Sequence, residues 1–240
     1  MPRLWDISPP IEPATPAFPG DTTYQQRWAM QIGPGCPVNV SAITMSPHLG
    51  AHADAPLHYG RDAAAIGLVD LDPFLGRCRV IHAIDNGKMI TIAHLEHAVR
   101  DLPPRVLVRT RRAAMTQWTA DFAAFSPDAI AWLASLGVTL VGLDTPSVDP
   151  AASKTLDSHL QLLAHDLRVL ENLVLDDVDE GDYELIALPL KLTHACASPV
   201  RAVLRSLPCS RATTASRAMR RTLLRRCASY LPWIESIARQ

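Results

Sequence analysis

The sequence predicts an α/β protein, a mixed β-sheet with flanking helices. Three observations lead there. Apolar runs of strand length recur at residues 78–84, 105–110, 138–143 and 183–190. Helical patterns lie between them, at residues 91–100, 126–136 and 160–173. The 240 residues are 48% hydrophobic and 20% charged with a formal net charge of −1, the composition of a globular chain with one substantial core.

Taken in order, Leu4-Trp5-Asp6-Ile7-Ser8 reads as a short strand running into a proline-rich stretch that closes on the turn signature Phe18-Pro19-Gly20-Asp21. Residues 38–45 mix Val38, Val40 and Ile43 with small polar residues, as a half-buried strand does, and break at Pro47. A histidine-rich segment follows on a strand-end loop. The strands at 78–84 and 105–110 are separated by a short helix for which Thr91 is a plausible N-cap. Ser126-Pro127-Asp128 opens a second helix, with proline in its favoured first turn, and Gly137 ends it after Leu136. Residues 138–143 carry few polar atoms, as in a buried central strand. Leucines at 160, 162, 163, 167, 170 and 173 form a helical stripe, and 183–190 is a further apolar strand.

Beyond Leu207 the composition shifts. Arg211, Arg217, Arg220, Arg221, Arg225, Arg226 and Arg239 stand against one acid, Glu235. The sequence thus divides into a domain at 1–207 and an arginine-rich extension at 208–240, an appendage whose charge suits a solvated surface. The near-balanced charge calls for neither nucleic acid nor membrane, so a small substrate or a protein is the expected partner. No run of about eighteen apolar residues occurs and the first six residues lack a signal-peptide pattern, so a cytoplasmic location is expected. Cys36, Cys78, Cys196, Cys209 and Cys227 are scattered, without a Cys-x-x-Cys pair, and read as reduced thiols.

The chemistry is concentrated in Ser46-Pro47-His48-Leu49-Gly50-Ala51-His52-Ala53-Asp54-Ala55-Pro56-Leu57-His58. Pro47, Gly50 and Pro56 disfavour a continuous helix. In an extended backbone alternate residues share a side, so His48, His52, Asp54 and His58 can converge on one point. A nitrogen and oxygen donor set without thiolate suits zinc, with manganese or iron as competitors. Two histidines and a carboxylate leave positions open for water and substrate. Packing alone does not explain four donors at this spacing among small neighbours. Asp157-Ser158-His159 and Glu171 offer further donors, but on one straight helix twelve residues rise about 18 Å. His159 and Glu171 could then share an ion only if His159 preceded the helix on a loop folding back, and spacing alone favours coincidence.

The remaining candidates read more blandly. His94 and His97 suit an exposed helix, and His82 a satisfied strand position. His165 could support the site or merely pack. The acidic residues from Asp176 to Asp182 suit a solvated turn rather than a calcium loop. Asp144, Thr145, Ser147 and Asp149 close an apolar strand, where sheets place functional loops. Trp5, Trp118, Trp132 and Trp233 read as packing elements.

Several strings together resemble the bacterial kynurenine formamidases, within the metal-dependent cyclase-like hydrolases. They are Leu4-Trp5-Asp6-Ile7-Ser8, Phe18-Pro19-Gly20-Asp21, Pro37-Val38-Asn39-Val40, the 48–58 cluster, Gly142-Leu143-Asp144-Thr145-Pro146-Ser147, Glu171-Asn172 and Ala187-Leu188-Pro189-Leu190, collinear over about residues 4–206. The resemblance implies a homodimer of swivelling, barrel-like cyclase fold with two zinc ions. His48, His52 and Asp54 would hold the first, and Asp54 would bridge to a second held by His159 and Glu171. His58 would transfer protons and Phe18 would line the substrate pocket. Phe18 stands where the family favours Trp, and near Cys196 relatives more often carry an acid. The implied reaction is hydrolysis of the formamide of N-formyl-L-kynurenine in tryptophan degradation. A metal would activate water, and His58 would act as acid and base. The competing readings are hydrolysis of another amide, such as isatin-like ring opening of a cyclic imide, and a metal-binding protein without turnover.

Overall fold

A computed structural model describes residues 2–208. The arginine-rich residues named above, Trp233, Cys209 and Cys227 lie outside the described residues. Thirteen strands and two α-helices follow in order: β1 (Leu4–Asp6), β2 (Gln25–Met30), β3 (Val40–Thr44), β4 (His52–Asp54), β5 (Leu75–His82), β6 (Met89–Ile90), β7 (Arg105–Arg109), β8 (Ala124–Phe125), α1 (Pro127–Ser135), β9 (Leu140–Leu143), α2 (Asp157–Ala164), β10 (Arg168–Glu171), β11 (Gly181–Ile186), β12 (Ala197–Pro199) and β13 (Val203–Ser206). Nine of them form one curled, half-barrel sheet in the order β1-β13-β11-β5-β7-β9-β10-β4-β12. The centre, β5 through β10, is parallel, and antiparallel strands flank it.

Side-chain alternation divides the core between the two faces of this sheet. On β7, Val106 and Val108 join Ile130 and Leu133 of α1 and Leu162 of α2. Leu107 points the other way, into a cluster with Phe74, Leu170 and Leu204. Helix α1 begins as its sequence dictates. The Ser126 hydroxyl accepts the Ala129 N–H, Pro127 occupies the first turn, and Gly137 takes a φ of +86° beyond the end. No helix among the described residues is long and apolar enough to cross a membrane.

Four expectations need correction. The stripe at 160–173 is not one helix. Helix α2 stops at Ala164, Asp166 turns the chain in the left-handed region at φ 52°, and Arg168 to Glu171 enter the sheet as β10, buried throughout. Leucine at these intervals serves a helix face and a buried strand equally well, and the turn decides between them. The helix expected at 91–100 is two 3-10 turns, Ile92–His94 and Glu96–Ala98, although Thr91 caps the first as expected, its side chain and the His94 ring closing a capping box. The strand at 183–190 ends at Ile186, and Leu188 and Leu190 are exposed. The strand at 38–45 is not half-buried: β3 pairs only with β2, in an exposed two-stranded ribbon.

Candidate metal-centred active site

The site is assembled where β4, β10 and α2 meet. On β4 the alternation buries Ala53 in the core and turns His52 and Asp54 to the opposite face. Strand β10 runs antiparallel to β4 with Glu171 directly opposite His52 and Val169 opposite Asp54. Glu171 therefore joins the two β4 donors by register alone, and the 18 Å objection disappears because a turn separates it from α2. His159, in the first turn of α2, reaches the same point from above the sheet face. His48 arrives from the loop before β4. His58 ends the 3-10 turn Pro56–His58 that follows it.

The distances fix the arrangement. Asp54 Oδ1 lies 2.8 Å from His48 Nδ1 and 3.4 Å from His52 Nε2, and Asp54 Oδ2 lies 3.5 Å from His159 Nε2. Glu171 Oε2 is 3.3 Å from His52 Nε2, and its Oε1 is 3.7 Å from His159 Nε2. The His58 ring stands 4.3 Å from that of His48 and 5.7 Å from that of His159. All six residues that the sequence nominated here come together, with His58 on the solvent-accessible side.

Neighbouring groups aim these side chains. The His52 Nδ1–H donates to the Gly50 carbonyl at 2.9 Å, which leaves the Nε2 lone pair directed inward. Gly50 makes this possible at φ +70°, where a Cβ would stand 3.0 Å from Ile11 Cγ1. His159 is aimed by Asp149, whose Oδ2 receives its Nδ1–H at 2.6 Å. Asp149 also accepts the backbone N–H groups of Ser158 and His159, at 2.9 and 3.0 Å. It thereby caps an α2 that has no side-chain cap of its own at Leu156. Glu171 Oε1 accepts the Val148 N–H at 2.8 Å.

The donor set fits a metal. His52 Nε2, His159 Nε2 and Asp54 Oδ2 are buried and have no hydrogen-bond partner, and Asp54 Oδ1 is buried with only the close approach of His48 Nδ1. Buried polar atoms are almost always paired, so unpaired lone pairs gathered at one point call for a cation. Without one, protons serve. Burial alone would depress His52, but Asp54 and Glu171 overcome it and push the ring up to about 10. Burial likewise works against His159, which Asp149 and Asp54 raise to about 10. Asp54 is opposed by burial yet held well below the usual carboxylate range by His159, His48 and His52. His58 differs: desolvation outweighs the nearby Asp54 carboxylate and lowers its pKa.

A cavity of about 630 Å³ opens beside these donors, lined by His48, His52, His58, His159 and Glu171 and walled by Phe18 and Trp118. The two aromatic rings meet edge to face at 4.7 Å. Trp118, read from sequence as packing, thus belongs to the pocket. Cys196 was assigned nothing, yet its Sγ lies 3.3 Å from His48 Nε2. Asp149 was nominated only as one of a group of loop residues, and the signal was its place after a buried parallel strand. Asp144 from the same group also lines the cavity and accepts the Thr110 N–H at 2.9 Å and hydroxyl at 2.6 Å.

The other candidates lie elsewhere. The His82 ring nitrogen meets the Val178 carbonyl at 2.9 Å, His97 pairs with Glu180 at 3.2 Å, and His165 is exposed at the C-cap of α2. In the acidic run, Asp182 is engaged by Arg77 and Arg79 and Asp176 accepts the Ala114 N–H.

A family model described as Putative cyclase matches residues 5–150. The chain is 67% identical over 208 residues to the kynurenine formamidase of Bordetella pertussis, covering 86% of this chain and 100% of that protein. To the kynurenine formamidase of Delftia acidovorans it is 65% identical over 205 residues, 85% of this chain and 98% of that one. Among solved structures, a potential metal-dependent hydrolase with cyclase activity superposes with a TM-score of 0.76 at 25% identity, over 87% of this chain and all of that one (100%). Isatin hydrolase A from Labrenzia aggregata shares the fold, with a TM-score of 0.70 at 19% identity over 86% of this chain and 94% of that one. By these matches the chain belongs to the cyclase family and, within it, to the kynurenine formamidases.

Proposed function

We propose that the protein hydrolyses the formamide bond of N-formyl-L-kynurenine, releasing L-kynurenine and formate in tryptophan breakdown. The observation that carries this reading is the group of buried, unpartnered donor atoms on His52, His159 and Asp54 beside an aromatic-walled cavity. The identity to proteins named kynurenine formamidase supports the choice of substrate.

In this reading His48, His52 and Asp54 hold one ion, and Asp54, His159 and Glu171 hold a second. Zinc suits such nitrogen and oxygen donors, with manganese as the competitor. An ion held there supplies Lewis acidity to the formyl oxygen and lowers the pKa of a water. The protein's own residues do the rest. Phe18 and Trp118, in contact with each other, form one wall against which the aryl ring packs, turning the formamide toward the donors. His58, its pKa lowered, is neutral at neutral pH and accepts the proton that the attacking water loses. As the bond from carbon to nitrogen breaks, His58 returns that proton to the aryl nitrogen, because an anilide anion is too basic to depart alone. Asp149 keeps His159 oriented throughout.

The reading extends to the whole protein: a catalytic domain over residues 1–207, an appended 208–240, a cytoplasmic location and a homodimer. The exposure of Trp28, Met30, Ile32, Val38, Val40 and Ile43 on and around the β2–β3 ribbon supports the dimer, since apolar side chains concentrated on one projection mark a contact surface. The direct test is formate release from N-formyl-L-kynurenine set against ring opening of isatin. Faster turnover of the formamide is expected, and preference for isatin would move the chain to the other reading.

A further inference from the structure

The cavity is lined by four carboxylates, Glu12, Asp21, Asp144 and Glu171, and by one lysine or arginine among the described residues, Lys154. Three of the carboxylates are engaged. Glu171 faces His52, Asp144 accepts from Thr110 and Arg111, and Asp21 accepts the Ser46 hydroxyl at 3.1 Å. Lys154 and Glu12 form no ion pair and no side-chain hydrogen bond among the described residues, although each lines the same cavity.

Lys154 does not hang from a loose loop. The Ser153 N–H bonds to the Pro150 carbonyl at 2.8 Å, and the Ser153 hydroxyl accepts the Leu156 N–H at 3.0 Å. Leu156 then holds a φ of 54°, a conformation unusual for a branched residue, and α2 starts at the next position. The turn that carries Lys154 is therefore continuous with the helix that places His159. Glu12 is held in its own turn, with its N–H on the Thr15 hydroxyl at 2.8 Å and its carbonyl accepting the Thr15 N–H at 3.0 Å.

The substrate of the proposed reaction has two unlike ends. One is the formamide, which must lie at the donor cluster. The other is an amino acid, a carboxylate and an ammonium several bonds away across the aryl ketone. With the ring against the wall that Phe18 and Trp118 form together, that end lies away from the metal donors and must find its counter-charges elsewhere on the lining. An anionic group is repelled by the carboxylates and served by one cation.

We propose that Lys154 is a specificity-determining residue that binds the substrate's α-carboxylate, with Glu12 receiving its α-ammonium. This rests on the arylformamidase reading above. On it, an N-formylated aryl amino acid should be preferred over a bare formanilide or an isatin, neither of which carries the charged end.

The test is steady-state kinetics on N-formyl-L-kynurenine and on formanilide, with the wild type, Lys154→Met and Lys154→Arg. The quantity read is the ratio of kcat/KM for the two compounds. In Lys154→Met this ratio falls roughly tenfold, mostly through KM for N-formyl-L-kynurenine, as expected for loss of one charge-assisted contact to a non-reacting part of the substrate. Lys154→Arg recovers a large part of it. An unchanged ratio in Lys154→Met, with the wild type active on both compounds, overturns the role of the lysine alone. A wild type that cleaves neither compound overturns the functional reading and this inference with it.

Discussion

Asp54 has both carboxylate oxygens buried, with only His48 Nδ1 at close range, while three imidazoles face it, an arrangement stable only with protons or metal between them. His58 lies within the cluster but on its accessible side, and because the proposed reading gives it no ion to hold, its loss should spare metal binding. In His58→Ala, kcat should drop by about 10² to 10⁴ with zinc content unchanged, the range typical of a lost acid–base group. Retained turnover at normal metal content would remove the proton-transfer role. Asp149 acts through His159. Replacing it with Asn keeps the shape but weakens the hold on Nδ1–H, and zinc affinity measured by competition with a chelator should fall about 10- to 100-fold. An unaltered affinity would mean that His159 needs no such support.

At the scale of elements, the site is a product of strand register. Shifting β4 against β10 by one residue would turn His52 and Asp54 into the core and Ala53 toward the metal donors. Gly50 sets the entry to β4, and Gly50→Ala should destabilise the protein by about 1 kcal/mol or more through its positive φ and its crowding of Ile11, read as a shift in denaturant midpoint. A midpoint at or above the wild-type value would show that the loop has room to adjust. Helix α1 and the strands β5, β7 and β9 were legible in the sequence because cap, glycine and apolar run agree there. The 48–58 cluster was legible because its donors are local in sequence. His159 and Glu171 were not, on spacing alone, because leucine periodicity conceals the turn at Asp166 that separates α2 from β10. Strand β2 escaped notice for a related reason: Gln25–Met30 is exposed along its whole length and shows no buried alternation.

For the whole molecule, stability and metal binding are coupled through the same protons. In the metal-free protein His52 and His159 are raised to about 10 from 6.5. Groups shifted upward on folding contribute stability that is complete below about pH 6.5 and is lost as pH rises through about 10. The Tm of the metal-free protein should therefore decline between about pH 7 and about pH 10, more steeply than that of the zinc-loaded protein, whose donors carry metal in place of protons. Parallel curves would contradict the assignment of His52 and His159 as donors. The mixed sheet could be anticipated in outline because alternating strand and helix patterns allow few architectures, whereas its barrel-like curl was implied only by the family resemblance. The exposed ribbon could not, since β2 shows no buried alternation and β3 pairs only with it. The most direct measurement is formate release from N-formyl-L-kynurenine by protein stripped with a chelator and verified metal-free, then assayed again after zinc is restored. Turnover should vanish on stripping and return as zinc fills the site. Undiminished formate release from the verified metal-free protein would contradict the account.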